Sequence, residues 1–308
     1  MEALKFRNGE VGTGRDWKSE VMRGGSLQKV ELANEGVHGY ASPPPELFMV
    51  RGPNYIQKKM KVPCSESLLK PLGVDWLWSN GKLDHVLANP GSRVMQALRN
   101  ASVEARKKSF ILAINLQVPG KEHNSAVFYF VRDDPIPEGS LLYRFIHEDD
   151  AFRNSRFKLI NRIVKGPWIV KAAAGNHPAC LLGKALTCRY MKGPNYLEID
   201  VDIGSSTVAY AILHLALGYV KHVSVDMAFL IEGQTEDELP EKLLGAVRIA
   251  QIEMESASYL EAYQDEKFGS PRKETSLQNG LSWRKLGRSL SKLGSKSGRL
   301  TVEDDREK

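Results

Sequence analysis

The chain has 308 residues, of which 42% are apolar and 26% are charged, and this composition is typical of a globular protein with one large or two modest domains. The formal net charge of +6 resides in the C-terminal part, because residues 267–300 contain nine Lys or Arg and one acid, Glu274, whereas the rest contains 34 basic and 36 acidic residues. We therefore expect electrostatic partners to contact this basic segment before the folded body.

The cysteine pattern and the hydropathy exclude several classes of protein. Three cysteines, Cys64, Cys180 and Cys188, lie in no C-x-x-C or Cys/His pattern, so neither a disulfide framework nor a zinc site is indicated. The N-terminus has no apolar core of signal-peptide length, and the longest apolar run, residues 207–220, is too short to span a bilayer. We expect a soluble cytoplasmic protein without a transmembrane segment.

Residues 1–45 are polar and glycine-rich and end in consecutive prolines, and they are predicted to be a disordered N-terminal segment. Ordered structure is expected from near Leu47. Six short runs of β-favouring residues then predict strands, at residues 47–50, 110–118, 126–131, 185–191, 196–203 and 223–231.

The hexapeptide VRGPNY at residues 50–55 returns almost unchanged as MKGPNY at residues 191–196. Proline fixes one φ angle, and glycine or asparagine tolerates the left-handed region, so each copy is predicted to turn the chain beside a strand. The second copy is expected to connect the fourth and fifth predicted strands as an antiparallel hairpin. The two halves share no other periodicity, which favours a reused turn over a duplicated domain. A recognition role for Arg51 and Lys192, as lipid or phosphate contacts, stays open.

Helical periodicity predicts helices at residues 92–105, 150–164, 168–175 and 205–220. The last of these is apolar on nearly every face, so we expect it to be buried at the centre of the domain, with Ser205 or Ser206 as its N-cap.

Strands and helices that are mixed without regular alternation predict an α+β fold, with a mostly antiparallel sheet and packed helices. The composition changes to Ser, Gly, Lys and Glu beyond about residue 256. The domain is therefore predicted to span residues 46–255, and residues 256–308 are predicted to be a basic, largely disordered tail.

The stretch HEDDAFRNSRFK at residues 147–158 is dense in polar residues that can take part in catalysis or binding. Its acidic half contains candidate metal ligands or general acids and bases, namely His147, Asp149 and Asp150. Its basic half offers candidate contacts for a lipid or phosphate group, namely Arg153, Arg156 and Lys158. The favoured alternative is structural, with Asp149 as a helix N-cap and Asp/Arg pairs three residues apart along the helix.

A row of carboxylates follows from the alternation of side chains along a strand, because Glu198, Asp200 and Asp202 share one face. Such a row can hold a hard cation, but the favoured alternative is the solvated face of a strand whose apolar side chains point inward. The chain contains no G-x-S-x-G, H-E-x-x-H or kinase signature. We therefore expect no catalytic residues, no cofactor and no metal.

The basic tail contains a pattern typical of an amphipathic helix at residues 280–296. Its apolar stripe consists of Trp283, Leu286, Leu290 and Leu293, and its basic residues are Arg284, Lys285, Arg288 and Lys292. An anionic membrane or phosphoinositide attracts such a segment, and calmodulin or a kinase partner fits the same pattern. A solvated linker without a partner stays possible, whereas nucleic acid is disfavoured because it would leave the apolar stripe unused.

Many sequence stretches, which follow one another in a fixed order over about residues 44–255, carry a resemblance to a known family. They include VRGPNY, GVDWL, NLQVPG, DDAFRNSRFKLI, KGPWIVK, LLGKALTCRY, NYLEIDVDIGSS, DMAFLIEG and ELPEKLLGA. The chain resembles the plant enhanced disease resistance 2 C-terminal domain family. In larger members this domain follows a pleckstrin-homology domain and a START lipid-transfer domain. The first 45 residues cannot hold either, so the chain resembles a short, stand-alone member.

The resemblance implies a role like that of the larger members, which are described as negative regulators of defence and cell death at membranes. It offers no established catalytic residues. We therefore expect a non-enzymatic, lipid- or membrane-associated regulatory protein that is cytoplasmic and peripherally bound to membranes. One alternative is an interaction adaptor whose tail binds calmodulin or a kinase, and another is a metal-dependent enzyme that uses the clustered carboxylates.

Overall fold

The structure is a computed structural model that describes residues 16–34, 37–120, 122–174 and 179–263. These residues belong to one compact unit, Met1–Glu266, and residues 264–308 of the predicted tail lie outside the described ranges. The α-helices of this part of the chain are α1 (Trp17–Arg23), α2 (Tyr55–Lys58), α3 (Arg93–Asn100), α4 (Val103–Lys108), α5 (Leu141–His147), α6 (Asp150–Arg156), α7 (Trp168–Ala174), α8 (Leu182–Ala185) and α9 (Thr207–Leu217).

The strands form two large sheets and one small one. The strands are β1 (Gly39–Ala41), β2 (Met49–Arg51), β3 (Lys61–Pro63), β4 (Lys70–Ser79), β5 (Phe110–Val118), β6 (His123–Arg132), β7 (Phe157–Lys165), β8 (Ala179–Leu181), β9 (Thr187–Lys192), β10 (Tyr196–Asp202), β11 (Ser224–Ile231), β12 (Leu243–Ala250) and β13 (Ser258–Tyr259). The six-stranded sheet has the order β13-β4-β6-β5-β10-β9, the five-stranded sheet has the order β1-β12-β11-β7-β8, and β2 pairs with β3.

Most neighbouring strands are antiparallel, and the described exceptions are β10 with β5 and β13 with β4. The predicted fold class, α+β with a mostly antiparallel sheet, is therefore confirmed. All six predicted strands are present within a few residues of their expected bounds.

The two large sheets pack face to face around the main core. Phe128 and Phe130 of β6 lie with their ring centroids 5.5 and 6.2 Å from the ring of Phe229 in β11. Gly245 of β12 allows this close approach, because a Cβ atom there would stand 2.3 Å from the Phe130 ring. Aromatic contacts between the sheets thus take the place of a helix at the centre of the domain.

The outer face of the six-stranded sheet carries a second core. Trp17 and Val21 of α1 and Val94 and Leu98 of α3 are buried there against side chains of β4, β5 and β6. Side chains alternate between the two faces of a strand, so successive residues of β5 lie in the main core and in the second core in turn. The six-stranded sheet is therefore covered on both faces.

Order begins earlier in the chain than predicted. Asp16 caps α1 by accepting a hydrogen bond from the Lys18 amide, Trp17 is buried, and β1 pairs with β12. This corrects the prediction of a disordered N-terminal segment for residues 16–34 and 37–45, because burial of Trp17 depends on distant residues that local composition does not reveal. At the other end, β13 lies beyond the predicted boundary at residue 255.

Two helix predictions need correction. The helix predicted at residues 150–164 ends at Arg156, and the chain continues as β7 between β11 and β8, because pairing with β11 overrides the helical periodicity. The helix predicted at residues 92–105 is divided into α3 and α4, since Ser102 starts a new helix by accepting a hydrogen bond from Ala105.

Helix α9 forms where predicted, but its environment is different. Ser206 accepts a hydrogen bond from the Ala209 amide, and Gly218 ends the helix. No residue of α9 is buried, so the expectation of a helix at the centre of the core is wrong. Leu213 and Leu217 contact the edge of the main core, and the centre that the helix was expected to fill is occupied by the two sheets.

The second Gly-Pro-Asn turn connects β9 and β10 as the predicted hairpin, with Lys192 opposite Leu197. Gly193 donates its amide to the Tyr196 carbonyl at 3.0 Å. The first copy also joins antiparallel strands, β2 and β3, although α2 is inserted between them. Both copies thus serve as connections at strand ends.

The variant Gly193→Ala tests the tight packing of this hairpin. A Cβ atom at Gly193 would stand 2.1 Å from the Tyr196 ring, whose hydroxyl is held by His85 at 2.9 Å. We expect the variant to lose about 1–3 kcal/mol of unfolding free energy, measured by urea unfolding. The control is Gly218→Ala, where the nearest atom is 3.4 Å away, and an equal loss in both variants would contradict the argument.

Candidate functional site

Glu198 and Asp200 of β10 are fully buried beneath the segment 83–87, not solvated as predicted. Glu198 accepts hydrogen bonds from the amides of Val86 and Leu87 at 2.6 and 2.8 Å. Asp200 accepts hydrogen bonds from the His85 amide at 2.9 Å and from the Asn115 side chain at 2.8 Å. The expectation was wrong because both faces of this sheet are covered.

Burial governs the protonation of this pair. It raises the pKa of Glu198 well above its ordinary range, and the nearby Asp200 carboxylate adds to the effect. Burial also raises the pKa of Asp200, to about 7, although the His85 amide and the Asn115 side chain oppose the shift. The hydrogen bonds of the pair hold the segment 83–87 on the sheet, and we expect Asp200 to change its protonation near neutral pH.

The acidic candidates have separate partners in the structure. Asp149 caps α6 by accepting a hydrogen bond from the Phe152 amide, and Asp150 pairs with Arg153 at 2.7 Å, as the structural alternative predicted. His147 stacks on Tyr143 with ring centroids 4.1 Å apart, and Asp202 pairs with Lys82. Within the described ranges, no group of three or more His, Cys, Asp or Glu is arranged to hold a metal ion.

Two cations predicted as phosphate contacts, Lys158 and Arg51, converge on the buried carboxylates of Glu232 and Glu241. Lys158 donates to Glu232 at 3.3 Å and to Glu241 at 2.5 Å. Arg51 also pairs with Glu232, at 2.9 Å, and donates its amide to Glu241. These cations are matched by internal negative charge, and contact with phosphate by them stays a prediction.

Arg156 and Arg144 share a third carboxylate, Glu238, at 2.9 Å each. Burial acts to raise the pKa of Glu238, but the amides of Gln234 and Thr235 and the two guanidinium groups outweigh it, so this pKa is lowered. The carboxylate is therefore held in its charged form beside the arginines.

The other basic candidates lie elsewhere. Arg153 donates to the carbonyls of Phe145 and Ile146 at 2.8 and 2.9 Å and so joins the end of α5 to α6. Lys192 is exposed at the end of β9. The eight tail candidates between Trp283 and Leu293 lie outside the described residues, and their roles stay predictions.

Each Gly-Pro-Asn turn borders a cavity. The first copy contributes Arg51 and Tyr55 to a cavity of about 280 Å³, which also contains Lys158, Glu232 and Glu241. We call it the charged cavity. The second copy contributes Pro194 and Asn195 to a larger groove of about 500 Å³ between α3 and α4.

The α7/α9 surface, defined as Trp168, Val208, Ile212 and Tyr219, is an exposed apolar region. Trp168 is 74% exposed, Val208 67%, and Ile212 and Tyr219 37% each. Helices α7 and α9 contact each other, and the neighbouring sequence supplies exposed lysines, namely Lys165, Lys171 and Lys221. The pattern of residues 205–220, apolar on nearly every face, predicted a core helix, and no sequence signal indicated that Trp168 is exposed. No described helix is both long and apolar enough to cross a membrane.

Comparison with known proteins gives a family match and a curated relative. The family described as "Protein ENHANCED DISEASE RESISTANCE 2, C-terminal" matches residues 40–253. The "Protein ENHANCED DISEASE RESISTANCE 2-like" of Arabidopsis thaliana is 48% identical over 210 residues, which are 68% of this chain and 28% of that protein. The chain thus matches less than a third of this relative's length. No solved structure matches the chain.

The pH dependence of stability tests the environment of Asp200. Its carboxyl has a pKa of about 7 when folded, against an ordinary value of 3.8, so the folded state binds more protons between these values. The unfolding free energy should therefore fall as pH rises from about 4 to about 7, by up to about 1.4 kcal/mol per pH unit for one group. In Asp200→Asn this fall should be smaller, and an unchanged pH slope would contradict the assignment.

Removal of one buried negative charge tests whether the paired charges of the charged cavity stabilise the fold. In Glu241→Gln, Lys158 keeps only Glu232 as a charged partner, so we expect a loss of about 3 kcal/mol in unfolding free energy. The control, Glu66→Gln, breaks an exposed pair with Lys242 and should cost less than about 1 kcal/mol. Urea unfolding measures both, and equal small losses would show that the buried pair is not needed.

Proposed function

Because the chain belongs to the family defined by the C-terminal part of Protein ENHANCED DISEASE RESISTANCE 2, we propose that it is a non-enzymatic regulator of plant defence that binds reversibly to anionic membranes. The observation that carries the membrane part is the α7/α9 surface. A helix that is apolar on all sides is normally buried, and α9 has no buried residue. A bilayer interface provides the missing apolar environment without a spanning helix.

The chemistry of the α7/α9 surface fits this role. Tryptophan and tyrosine favour the membrane interface because their rings combine an apolar body with a polar group. Trp168 and Tyr219 provide such rings, and Val208 and Ile212 provide aliphatic surface. Lysine side chains near an anionic surface contribute about 1 kcal/mol each. Stable attachment usually needs two signals, and the basic segment 267–300 supplies the second.

Sedimentation of the full chain with vesicles tests the proposal. Vesicles of phosphatidylcholine alone are compared with vesicles that also contain phosphatidylserine or a phosphoinositide, at low and physiological salt. We expect binding to the anionic vesicles and a decrease with salt. No binding to any anionic vesicle would overturn the membrane proposal.

A variant of the α7/α9 surface and a matched control, both in the full chain, test whether this surface contacts the membrane. In Trp168→Ser/Val208→Ser/Ile212→Ser we expect the partition coefficient to fall at least about tenfold, because buried apolar area is lost. The matched control replaces exposed apolar residues elsewhere, Val37→Ser/Leu47→Ser/Met60→Ser. If the first variant binds like the control, the α7/α9 surface is not the contact.

The tail is tested by neutralising its four basic residues together, with Arg284→Gln, Lys285→Gln, Arg288→Gln and Lys292→Gln in one chain. We expect the loss of binding to be greatest at low salt, since the tail acts through charge. The alternative of a calmodulin partner predicts calcium-dependent capture of a peptide of residues 278–298. Capture without calcium dependence, or no capture, would remove that alternative.

A further inference from the structure

We infer that the groove between α3, α4 and the second Gly-Pro-Asn turn binds an anionic amphiphile, a molecule that carries one negatively charged head group on an apolar chain. We call it the basic groove. It is lined by apolar Met95, Leu98, Val103 and Pro194 and by basic Arg99, Arg106 and Lys107. This site differs from the α7/α9 surface, because it lies in the helical layer on the outer face of the six-stranded sheet.

The shape and the apolar part of the groove fit a small amphiphile. Its volume of about 500 Å³ is within the range of ligand pockets. Of the apolar lining residues, Leu98 is buried, whereas Val103 of α4 is 55% exposed. An apolar chain in the groove would remove the exposed Val103 from water.

The charge of the groove selects an anion. Arg99, Arg106 and Lys107 are exposed, and none of the residues lining the groove is acidic. Within the described part of the chain, none of the three makes a salt bridge, in contrast to Arg51, Arg156 and Lys158. A bound anionic head group would offset the mutual repulsion of these cations.

The walls of the groove are fixed before a ligand binds. The Asn195 side chain donates to the carbonyls of Arg106 and Ser109 at 3.3 and 3.4 Å, and so ties the turn to the C-terminal part of α4. The Asn195 carbonyl accepts a hydrogen bond from the Ile111 amide at 2.9 Å. Preorganised walls lower the entropic cost of binding. The second copy of the repeated hexapeptide thus has a specific role as one wall of the site.

The charged cavity is the weaker candidate for an anion. It is smaller, at about 280 Å³, and its Arg51 and Lys158 are already paired with Glu232 and Glu241. An added anion there would have to displace an internal carboxylate or lie beside it. The basic groove imposes no such cost.

Calorimetric titration of the full chain tests the inference with three soluble probes. Dodecyl phosphate, used below its critical micelle concentration, has both a negative charge and an apolar chain. Inorganic phosphate has the negative charge without the chain. Dodecyltrimethylammonium has the same chain with a positive charge. We expect dodecyl phosphate to bind at least about tenfold more tightly than either of the other probes, and more weakly at high salt. Equal binding of inorganic phosphate or of the cationic probe would overturn the inference.

Two variants locate the binding site. Arg99→Gln/Arg106→Gln/Lys107→Gln should lower the affinity for dodecyl phosphate at least about tenfold. The control removes three exposed lysines outside the groove, Lys29→Gln/Lys58→Gln/Lys70→Gln, and should bind as the unaltered chain does. Both sets are on the surface, and thermal unfolding checks that both variants are folded. Equal affinity of the two variants would show that the groove is not the site.

The amphiphile can be a free molecule or a lipid in a bilayer, and the same variants distinguish these sources. If the groove variant also loses binding to anionic vesicles, the ligand is a bilayer lipid. If it loses only dodecyl phosphate binding, the ligand is free in solution. The Trp168→Ser/Val208→Ser/Ile212→Ser variant should keep its affinity for dodecyl phosphate, so failure of the membrane proposal and failure of the groove are separate outcomes.

Discussion

Both faces of the six-stranded sheet are buried, and this burial restricts the polar side chains that its strands can carry. A polar side chain on a covered face must find a hydrogen-bond partner there. Glu198 and Asp200 therefore bind the amides of the segment 83–87, and Asp75 pairs with Arg93 of α3. These contacts fix the layer of loop and helix over the sheet. The basic groove forms where that layer meets the turn before β10.

Two groups of basic side chains can be distinguished, namely those paired with buried carboxylates and those exposed to solvent without a salt bridge among the described residues. Around the five-stranded sheet, Arg51, Arg156 and Lys158 are paired with buried carboxylates, so their charge contributes to the cohesion of the fold. At the edge of the helical layer, the cations of the basic groove face solvent without an acidic neighbour in the lining. A net charge alone would not distinguish these two groups. The proposed attraction of an anion depends on the second group and on the basic tail.

Helix α9 shows that an apolar segment can lie outside the core. Two of its leucines, Leu213 and Leu217, contact the main core, and this contact holds the helix on the domain. The side chains of Val208 and Ile212 are left exposed. Exposed apolar area of this kind lowers solubility unless a partner covers it. The exposed α7/α9 surface is the observation from which the membrane proposal is argued.

Features that depend on neighbouring residues could be predicted from the sequence. Apolar runs located the six strands, the Gly-Pro-Asn turn located the β9/β10 hairpin, and Asp149 was recognised as a helix cap. In contrast, the packing of distant segments buries Glu198 and Asp200, makes residues 157–165 a strand, and leaves α9 outside the core. The same holds for the basic groove, which has Arg99 on α3 and Arg106 and Lys107 on α4, but whose opposite wall comes from a turn about ninety residues later. Local patterns report the periodicity of one segment, whereas burial and site formation depend on which distant segments pack against it.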